Sequence, residues 1–213
     1  MSAVASERFD TGELAIDGIE SGTSVLLTGD DPDALAEAFY RLVAPAPEEE
    51  AAVIATDTQG RTIKRELNRV ESGAGDRTSV LAGTGRESAD VQCVDDIGEL
   101  TGLGMTFSSM ITEAQRGSGR FRSGIMLCSS VCVEADDIRS VYRMLNSNFL
   151  PELRRGDGIG VCALDTSVDL GASSSSIVKG MSTSFGAHVE VRSSGRDVVL
   201  DLSELGGPSD ATL

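Results

Sequence analysis

The chain has 213 residues, 40% of them hydrophobic, which is enough for one domain with a sizeable core. It carries 34 acidic and 18 basic residues, and the resulting net charge of −16 argues against a nucleic-acid partner, because such a surface repels phosphate backbones. No stretch approaches 18 consecutive apolar residues, which excludes a membrane-spanning helix, and the N-terminus lacks the pattern of a secretory signal. These features predict a cytoplasmic protein.

The amino-acid composition also indicates the salt concentration in which the protein works. Only Lys64 and Lys179 are lysines, aromatic residues make up 4% of the chain, and tryptophan is absent. This pattern, with the high acidic charge, is typical of proteins from salt-loving cytoplasms, where ions screen self-repulsion. An ordinary acidic protein from a low-salt cytoplasm is the alternative, and dependence on high salt distinguishes the two. The four cysteines form no CxxC pair, which predicts buried free thiols and no metal site.

The N-terminal half alternates short β-branched segments with helical patterns. We predict a first strand over Ser24–Thr28, followed by a helix that Asp31 caps. A second strand over Ala52–Thr56 leads into a helix near residues 61–71, and a third strand covers Thr78–Leu81. This order is βαβαβ and indicates a mainly parallel sheet.

The C-terminal half continues the alternation and ends in two strands that should form an antiparallel hairpin. Its most regular helix has apolar residues at i, i+3, i+4, i+7 and i+11 from Ile138 to Phe149, so one face should pack on the sheet. The other predicted elements are a helix over residues 100–115, a strand over Gly124–Cys128, a strand over Gly158–Asp165, a helix over residues 174–185, and strands over His188–Arg192 and Val198–Leu202.

Together these elements predict a three-layer α/β sandwich over residues 12–205, with helices on both faces of the sheet. Residues 1–11 and 206–213 are polar and poor in large apolar side chains, and we expect them to form a flexible lead and a flexible tail.

The turn after the first strand is where a doubly wound sheet binds phosphate. A P-loop there has the pattern G-x-x-x-x-G-K-[ST], in which the lysine reaches the phosphates and the hydroxyl holds Mg²⁺. The aligned positions of this chain are Gly29, Ala34, Leu35 and Ala36. Only the first glycine of the pattern is therefore present, and the loop is degenerate.

Three aspartates, Asp30, Asp31 and Asp33, occupy the same turn. The N-terminus of a helix attracts anions, and a carboxylate placed there stabilises the helix. We expect Asp31 and Asp33 to take the position that a phosphate would have.

The segment G-I-E-S-G-T-S-V-L-L-T-G at residues 18–29 resembles the entry to the nucleotide loop of KaiC-like members of the RecA superfamily. The resemblance continues at residues 52–58, 125–130, 158–165 and 188–192, and covers residues 12–203. It implies a sheet of the RecA/KaiC type, which is a P-loop NTPase-like fold. More narrowly, the chain resembles the short, degenerate KaiC-like proteins of haloarchaea.

The family's functional positions are changed in this chain. Asp57 lies where the superfamily carries a catalytic glutamate, and Cys128, followed by Ser129, lies where the Walker B aspartate supports Mg²⁺. Asp165, at the end of a later strand, is the remaining vestigial position. Because the phosphate lysine, the Mg²⁺ hydroxyl and the Walker B acid are all absent, the resemblance implies an inactive relative of the ATPases for which no cofactor is expected.

Two functions follow from this resemblance. The first is a regulatory or scaffolding protein, for example in signalling, that acts by binding another protein or itself. The alternative is a weak nucleotide-binding protein that holds Mg-ATP through Gly29, Asp57 and arginines of a neighbouring subunit.

A group of arginines, Arg116, Arg120 and Arg122, lies between a predicted helix and a predicted strand. The glycines among them predict a flexible, solvated loop. Its local charge of +3 also makes it a candidate contact for an anion or for an acidic face of a partner.

Overall fold

The computed structural model describes residues 8–135, 137–170, 173–195 and 197–213. The strands are β1 (Arg8–Phe9), β2 (Ile19–Glu20), β3 (Ser24–Gly29), β4 (Glu50–Ala55), β5 (Thr78–Ala82), β6 (Val91–Cys93), β7 (Arg120–Met126), β8 (Asp157–Asp165), β9 (Ala187–Ser194), β10 (Asp197–Leu200) and β11 (Ala211–Thr212). The helices are α1 (Pro32–Val43), α2 (Gly60–Val70), α3 (Leu100–Ser118), α4 (Cys128–Glu134), α5 (Ile138–Met144), α6 (Leu150–Arg155) and α7 (Ser174–Ser182). A π-helical segment, Leu145–Phe149, joins α5 to α6, and Ser203–Leu205 is a 3₁₀ turn.

The main sheet has nine strands in the order β11-β10-β9-β3-β8-β7-β4-β5-β6. Strands from β9 to β6 in this order are parallel, whereas β10 and β11 add antiparallel pairs at one edge. Strands β1 and β2 form a separate antiparallel ribbon. This topology confirms the predicted, mainly parallel α/β sheet with its antiparallel C-terminal hairpin.

Helices cover both faces of the sheet, which confirms the three layers. Alternate residues of β3 separate the two cores: Val25 and Leu27 pack with α1 and α2, whereas Leu26 packs on the opposite side. The second core contains α3 and the helices from α4 to α7. Since both faces are covered, the central strands are buried along their whole length, as their continuous apolar runs require.

The helix predicted from Ile138 to Phe149 is interrupted. Its last five residues form the π-helical segment, which inserts one extra residue into the helical ladder. Pro151 lies in the first turn of α6 and has no N–H to donate to the turn before it, which favours a break at this point. The wider turn also places the Phe149 ring on that of Phe107, with centroids 5.8 Å apart.

The chain ends differ from the flexible segments expected there. Residues 1–7 of the predicted lead lie outside the described residues, and the rest contains β1. The predicted tail from residue 206 forms β11, which pairs with β10, and the Leu213 amide donates to the Val198 carbonyl at 2.9 Å. The reason is the small apolar set at the end of the chain, since Ala211 is buried and Leu213 packs against the core.

In the part of the chain that the structure describes, no helix is both long and apolar enough to cross a membrane.

Candidate functional site

The turn between β3 and α1 is too short to cradle a phosphate. Strand β3 ends at Gly29 and α1 begins at Pro32, so only Asp30 and Asp31 connect them. A P-loop, by contrast, places its whole G-x-x-x-x-G-K-[ST] segment between strand and helix. The first turns of α1 occupy the positions where the phosphate loop would continue.

The Asp31 carboxylate caps α1, as its position in the sequence predicts. One of its oxygens accepts hydrogen bonds from the amides of Asp33, at 3.0 Å, and Ala34, at 3.2 Å. The other oxygen accepts from the hydroxyl of Ser193 on β9. Amides that could bind a phosphate at this helix end are therefore already bonded to a side chain of the protein.

The same contacts keep this cap charged. The hydrogen bond from Ser193 and the amide of Ala34 hold the pKa of the Asp31 carboxyl below its ordinary value of 3.8. Asp30 and Asp33 are exposed beside it. A phosphate that approached this helix end would meet a fixed negative charge.

The other positions of the degenerate loop have structural roles. Leu35, at the position of the phosphate lysine, is fully buried in the core between α1 and the sheet, and Ala34 is buried beside it. Ala36, at the position of the hydroxyl residue, is half-buried. A Cβ atom on Gly29 would lie 2.8 Å from the backbone oxygen of Val191, so close packing of β9 explains the glycine.

One of the predicted vestigial positions, Asp165, meets the degenerate loop at the carboxyl edge of the sheet. Asp165 ends β8 and is the register partner of Gly29. Its carboxylate is buried and accepts from the amide and hydroxyl of Ser167 at 2.8 and 2.7 Å, so it shapes the turn after the strand. These two contacts give Asp165 a local structural role.

The Walker B position lies in a helix. Strand β7 ends at Met126, Leu127 adopts a left-handed conformation with φ 55°, and Cys128 opens α4. Cys128 and Ser129 are buried. The Cys128 thiol contacts Cys132 and Cys162, and its pKa lies well above the ordinary value. Among the described residues, no group of three or more His, Cys, Asp or Glu side chains is arranged to hold a metal ion.

Asp57 lies in a second cavity at this edge, of about 570 Å³. Its carboxylate is exposed and accepts from the Thr58 hydroxyl at 3.3 Å. The lining residues that the structure describes include four carboxylates and no lysine or arginine; the acidic members are Asp57, Asp95, Asp96 and Glu134. Such a cavity disfavours anions, including the phosphates of a nucleotide.

The prediction of a flexible, solvated arginine loop is wrong. Arg116 lies in the last turn of α3, whereas Arg120 and Arg122 belong to β7, at the opposite end of the sheet from Asp57 and Asp165. The chain alternates there as a strand does, so Phe121 faces one core and the two arginines face the other side.

Arg122 is a structural side chain and not a contact for an external anion. It is 2% exposed, and its Nε atom donates to the Glu49 carboxylate at 2.6 Å. Its other nitrogens donate to the carbonyl oxygens of Leu42, at 3.0 Å, and Asp10, at 2.6 Å. Arg122 thereby ties α1 and the N-terminal ribbon to the sheet.

Arg120 is part of the same cluster. It lies 3.8 Å from the Glu49 carboxylate, and its guanidinium stands 4.3 Å from the centre of the Phe9 ring. The positive charge that suggested an anion site therefore interacts within the fold, with the Glu49 carboxylate and the face of the Phe9 ring.

A groove between α1 and α2 is a feature that the sequence analysis missed. It has a volume of about 910 Å³, and Met126 and Leu127 lie among its lining residues. One signal was present in the sequence: Asp33, Ala36 and Tyr40 recur at helical spacing on the α1 face that lines the groove. The sequence does not show how far α2 lies from that face.

Comparison with known structures places the fold. A KaiC-like protein from Pyrococcus horikoshii OT3 is similar over 91% of this chain and 86% of its own, with a TM-score of 0.59 and 13% identity. An uncharacterized protein from Pyrococcus horikoshii, solved in complex with an unknown peptide, is similar over 86% and 84%, with a TM-score of 0.61 and 11% identity. At these identities the likeness shows the fold alone, which is the RecA type of the KaiC-like proteins.

No curated protein matches the chain. One family model does, over residues 22–191, and its description is a family of unknown function, DUF7504. This match spans most of the chain, from just before β3 to the middle of β9. The chain therefore belongs to the DUF7504 family and has a KaiC-like, RecA-type fold.

Proposed function

We propose that this protein does not hydrolyse ATP and acts as a regulatory or scaffolding protein by binding another protein or a second copy of itself. The observation that carries the proposal is the Asp31 cap. A carboxylate of the chain occupies the amides of the α1 N-terminus, and the connection from β3 leaves no loop to surround a phosphate. The protein needs no nucleotide or metal cofactor on this proposal.

The electrostatics of the carboxyl edge support the same conclusion. The cavity beside Asp57 presents four carboxylates, and Leu35, in the lysine position, is buried in the core. A nucleoside triphosphate would bring further negative charge to this cavity, whose described lining residues include no lysine or arginine to offset it.

Protein binding is supported by a neighbour of the same fold. The Pyrococcus horikoshii protein that was solved with an unknown peptide shows that a chain of this architecture can hold a peptide. We infer a similar mode of action here, in signalling within an archaeal cytoplasm of high salt, the environment that the charge of −16 favours.

The proposal is tested by thermal melts in multimolar KCl with and without Mg-ATP, Mg-ADP and Mg-GTP. A ligand at about 100 times its Kd stabilises the native state by about 2.7 kcal/mol, which is readily measured. We expect no shift with any of the three nucleotides and no release of phosphate from ATP.

A clear upward shift in Tm would overturn the proposal. Turnover of Mg-ATP that the substitution Asp57→Asn abolishes would favour the alternative of a weak nucleotide-binding protein. The matched control is Asp95→Asn, which removes one carboxylate from the same cavity without changing the vestigial position.

A further inference from the structure

The groove between α1 and α2 has the size of a binding site. Its volume of about 910 Å³ lies at the upper end of the range of ligand pockets. Both helices connect parallel strands, so they run in the same direction along the two sides of the groove. Helix α1 has 12 residues and is about 18 Å long, so the groove matches a peptide segment of several residues.

The charges along the groove are mainly acidic and only partly neutralised. Arg41 pairs with Glu37 at 3.1 Å, and Arg69 pairs with Glu66. Arg122, the remaining basic residue of the described lining, forms an ion pair with the buried Glu49. The acidic residues of the lining that form no ion pair within the described residues are Asp10, Asp33 and Glu71.

These free carboxylates lie at both ends of the groove. Asp33 is in the first turn of α1, whereas Glu71 follows the last turn of α2 and Asp10 lies near the C-terminal end of α1. Because the two helices are parallel, the carboxylates are separated by most of the helix length. A ligand that satisfies both ends must carry positive charges two to three helical turns apart.

Apolar side chains lie between the two acidic ends. Val70 is 41% exposed, although it is a large apolar residue, and Ala36, Tyr40 and Leu127 are half-buried beside it. Burial, with the nearby charges of Glu66 and Asp57, raises the pKa of Tyr40 to about 12, so its hydroxyl stays a neutral donor. The middle of the groove therefore suits an apolar or aromatic side chain.

Two buried polar atoms of the groove lining make no hydrogen bond with any described residue, namely the Thr11 hydroxyl oxygen and Arg41 Nε. Thr11 is 5% exposed and belongs to the lining, and its hydroxyl makes no hydrogen bond with any described residue. Buried hydroxyls are nearly always hydrogen-bonded in folded proteins, so this unsatisfied hydroxyl is an exception within the groove lining.

We propose that the groove between α1 and α2 binds a short amphipathic segment of a partner protein, with apolar side chains against Val70 and Tyr40 and basic side chains against Asp33 and Glu71. This inference rests on the proposed function, since it names the partner chemistry and the surface of a binding protein. The groove and the partner segment would be complementary in charge at the two ends and would bury apolar surface against each other in the middle.

The test is fluorescence anisotropy with a fluorescein-labelled peptide of 14 residues, with leucines in its central part and lysines near its two ends. Titrations are made at the lowest KCl concentration at which circular dichroism shows the native fold. We expect the basic peptide to bind and a matched peptide, with glutamate for every lysine, not to bind. The double substitution Asp33→Asn and Glu71→Gln should weaken binding about fivefold, because it removes two exposed ion pairs.

Two matched variants separate the groove from the general attraction of an acidic protein. The double substitution Asp95→Asn and Asp96→Asn removes the same charge from a different cavity, and we expect it to leave the affinity within about twofold. Val70→Ser should weaken binding, whereas Val133→Ser, at a residue 52% exposed on α4, should not.

Equal losses from the Asp33 and Glu71 pair and from the Asp95 and Asp96 pair would overturn the groove as the site. Failure of the basic peptide to bind would overturn this inference alone, because the absence of a nucleotide effect would still support the proposed function. A nucleotide-induced rise in Tm, with peptide binding intact, would overturn the proposed function but not the inference that the groove binds a partner segment.

Discussion

Single residues of the turn between β3 and α1 have clear physical roles, and Gly29 is the simplest case. A Cβ atom there would lie 2.8 Å from the backbone oxygen of Val191, which is a fixed atom of β9. We predict that Gly29→Ala lowers the free energy of unfolding by about 1–3 kcal/mol, the usual cost of overpacking. Urea denaturation at constant KCl measures the change.

The matched control for this substitution is Gly186→Ala, where the nearest atom to an added Cβ is 3.4 Å away. Its stability should stay close to that of the wild type. If Gly29→Ala were as stable as this control, close packing would not explain the glycine.

Asp31 makes the stability of α1 depend on pH. Because the folded-state pKa of its carboxyl is below the ordinary value of 3.8, the ionised cap stabilises the fold above about pH 4. That contribution is lost as the pH falls through the lower, folded-state pKa. We predict that Asp31→Ala melts below the wild type at pH 6, and that the difference narrows as the pH falls towards 3.

Asp31→Asn provides the comparison, because asparagine caps a helix without titrating. Its difference from Asp31→Ala should stay constant over the same pH range. A constant difference between the wild type and Asp31→Ala, measured by circular dichroism, would contradict the role of the ionised cap.

Arg122 and Glu49 form a buried ion pair whose halves depend on each other. Both side chains are 2% exposed, so removal of Arg122 leaves the buried Glu49 carboxylate with only the longer ion pair to Arg120, at 3.8 Å. We predict that Arg122→Met lowers the free energy of unfolding by about 3–5 kcal/mol, and that adding Glu49→Gln recovers part of the loss. Chemical denaturation of the two single variants and the double variant tests the coupling.

Hydrogen exchange gives a second measurement on the same variants. Arg122 holds the carbonyl of Asp10, so Arg122→Met should speed exchange in residues 8–20 more than in β4 or β5. A loss in the double variant equal to the sum of the two single losses would show that the two charges are not coupled.

Among the elements, β11 shows how a short strand protects an edge. It covers β10, whose backbone groups would otherwise be free to pair with another chain. We predict that deletion of residues 207–213 lowers Tm and promotes self-association through the exposed β10 edge. Differential scanning calorimetry and sedimentation velocity measure the two effects.

Asp210→Asn is the control for this deletion, since it removes only the exposed ion pair with Arg192, at 3.1 Å. Its Tm should be nearly unchanged, because exposed pairs contribute little. A truncated chain that melts with the wild type and stays monomeric would show that β11 is dispensable.

The elements that local patterns determine could be predicted from the sequence. The apolar run that becomes β3 and the Asp31 cap that starts α1 are encoded by neighbouring residues, and the structure has both. The break before α6 and the strand position of Arg120 and Arg122 were missed. The arginines depend on a distant partner, the buried Glu49, whereas Pro151 was a local signal for the break that the regular apolar spacing outweighed.

Some features of the candidate site could likewise be predicted from the sequence, and others could not. Gly29 and Asp165 could be placed together in advance, because the carboxyl ends of neighbouring parallel strands meet at one edge. The groove between α1 and α2 could not, since its width depends on how two helices pack on strands that are separated in sequence. Val70 shows this limit, because its exposure is a property of the assembled layer and not of the α2 pattern.

At the scale of the whole molecule, the net charge of −16 is the dominant electrostatic feature. The carboxylates repel one another when the chain is compact, and salt screens that repulsion. We predict that Tm rises as KCl is increased from 0.1 M, and that most of the rise occurs below about 1 M, over which the Debye length falls from about 10 Å to about 3 Å.

Sucrose at the same osmolality is the control, because it stabilises by exclusion without screening charge. KCl should raise Tm much more than sucrose does. Equal effects of the two solutes would indicate an ordinary acidic protein instead of one adapted to high salt.

The two-residue connection between β3 and α1 limits what point mutations could do at this turn. A lysine in place of Leu35 would put a charge in the core, and a glycine in place of Ala34 would loosen the first turn of α1. Exchange of side chains alone cannot build a phosphate cradle, because the backbone that would form it is already helical. A phosphate loop would require inserted residues, so point mutations keep the turn in its present form while the other surfaces of the protein remain free to change.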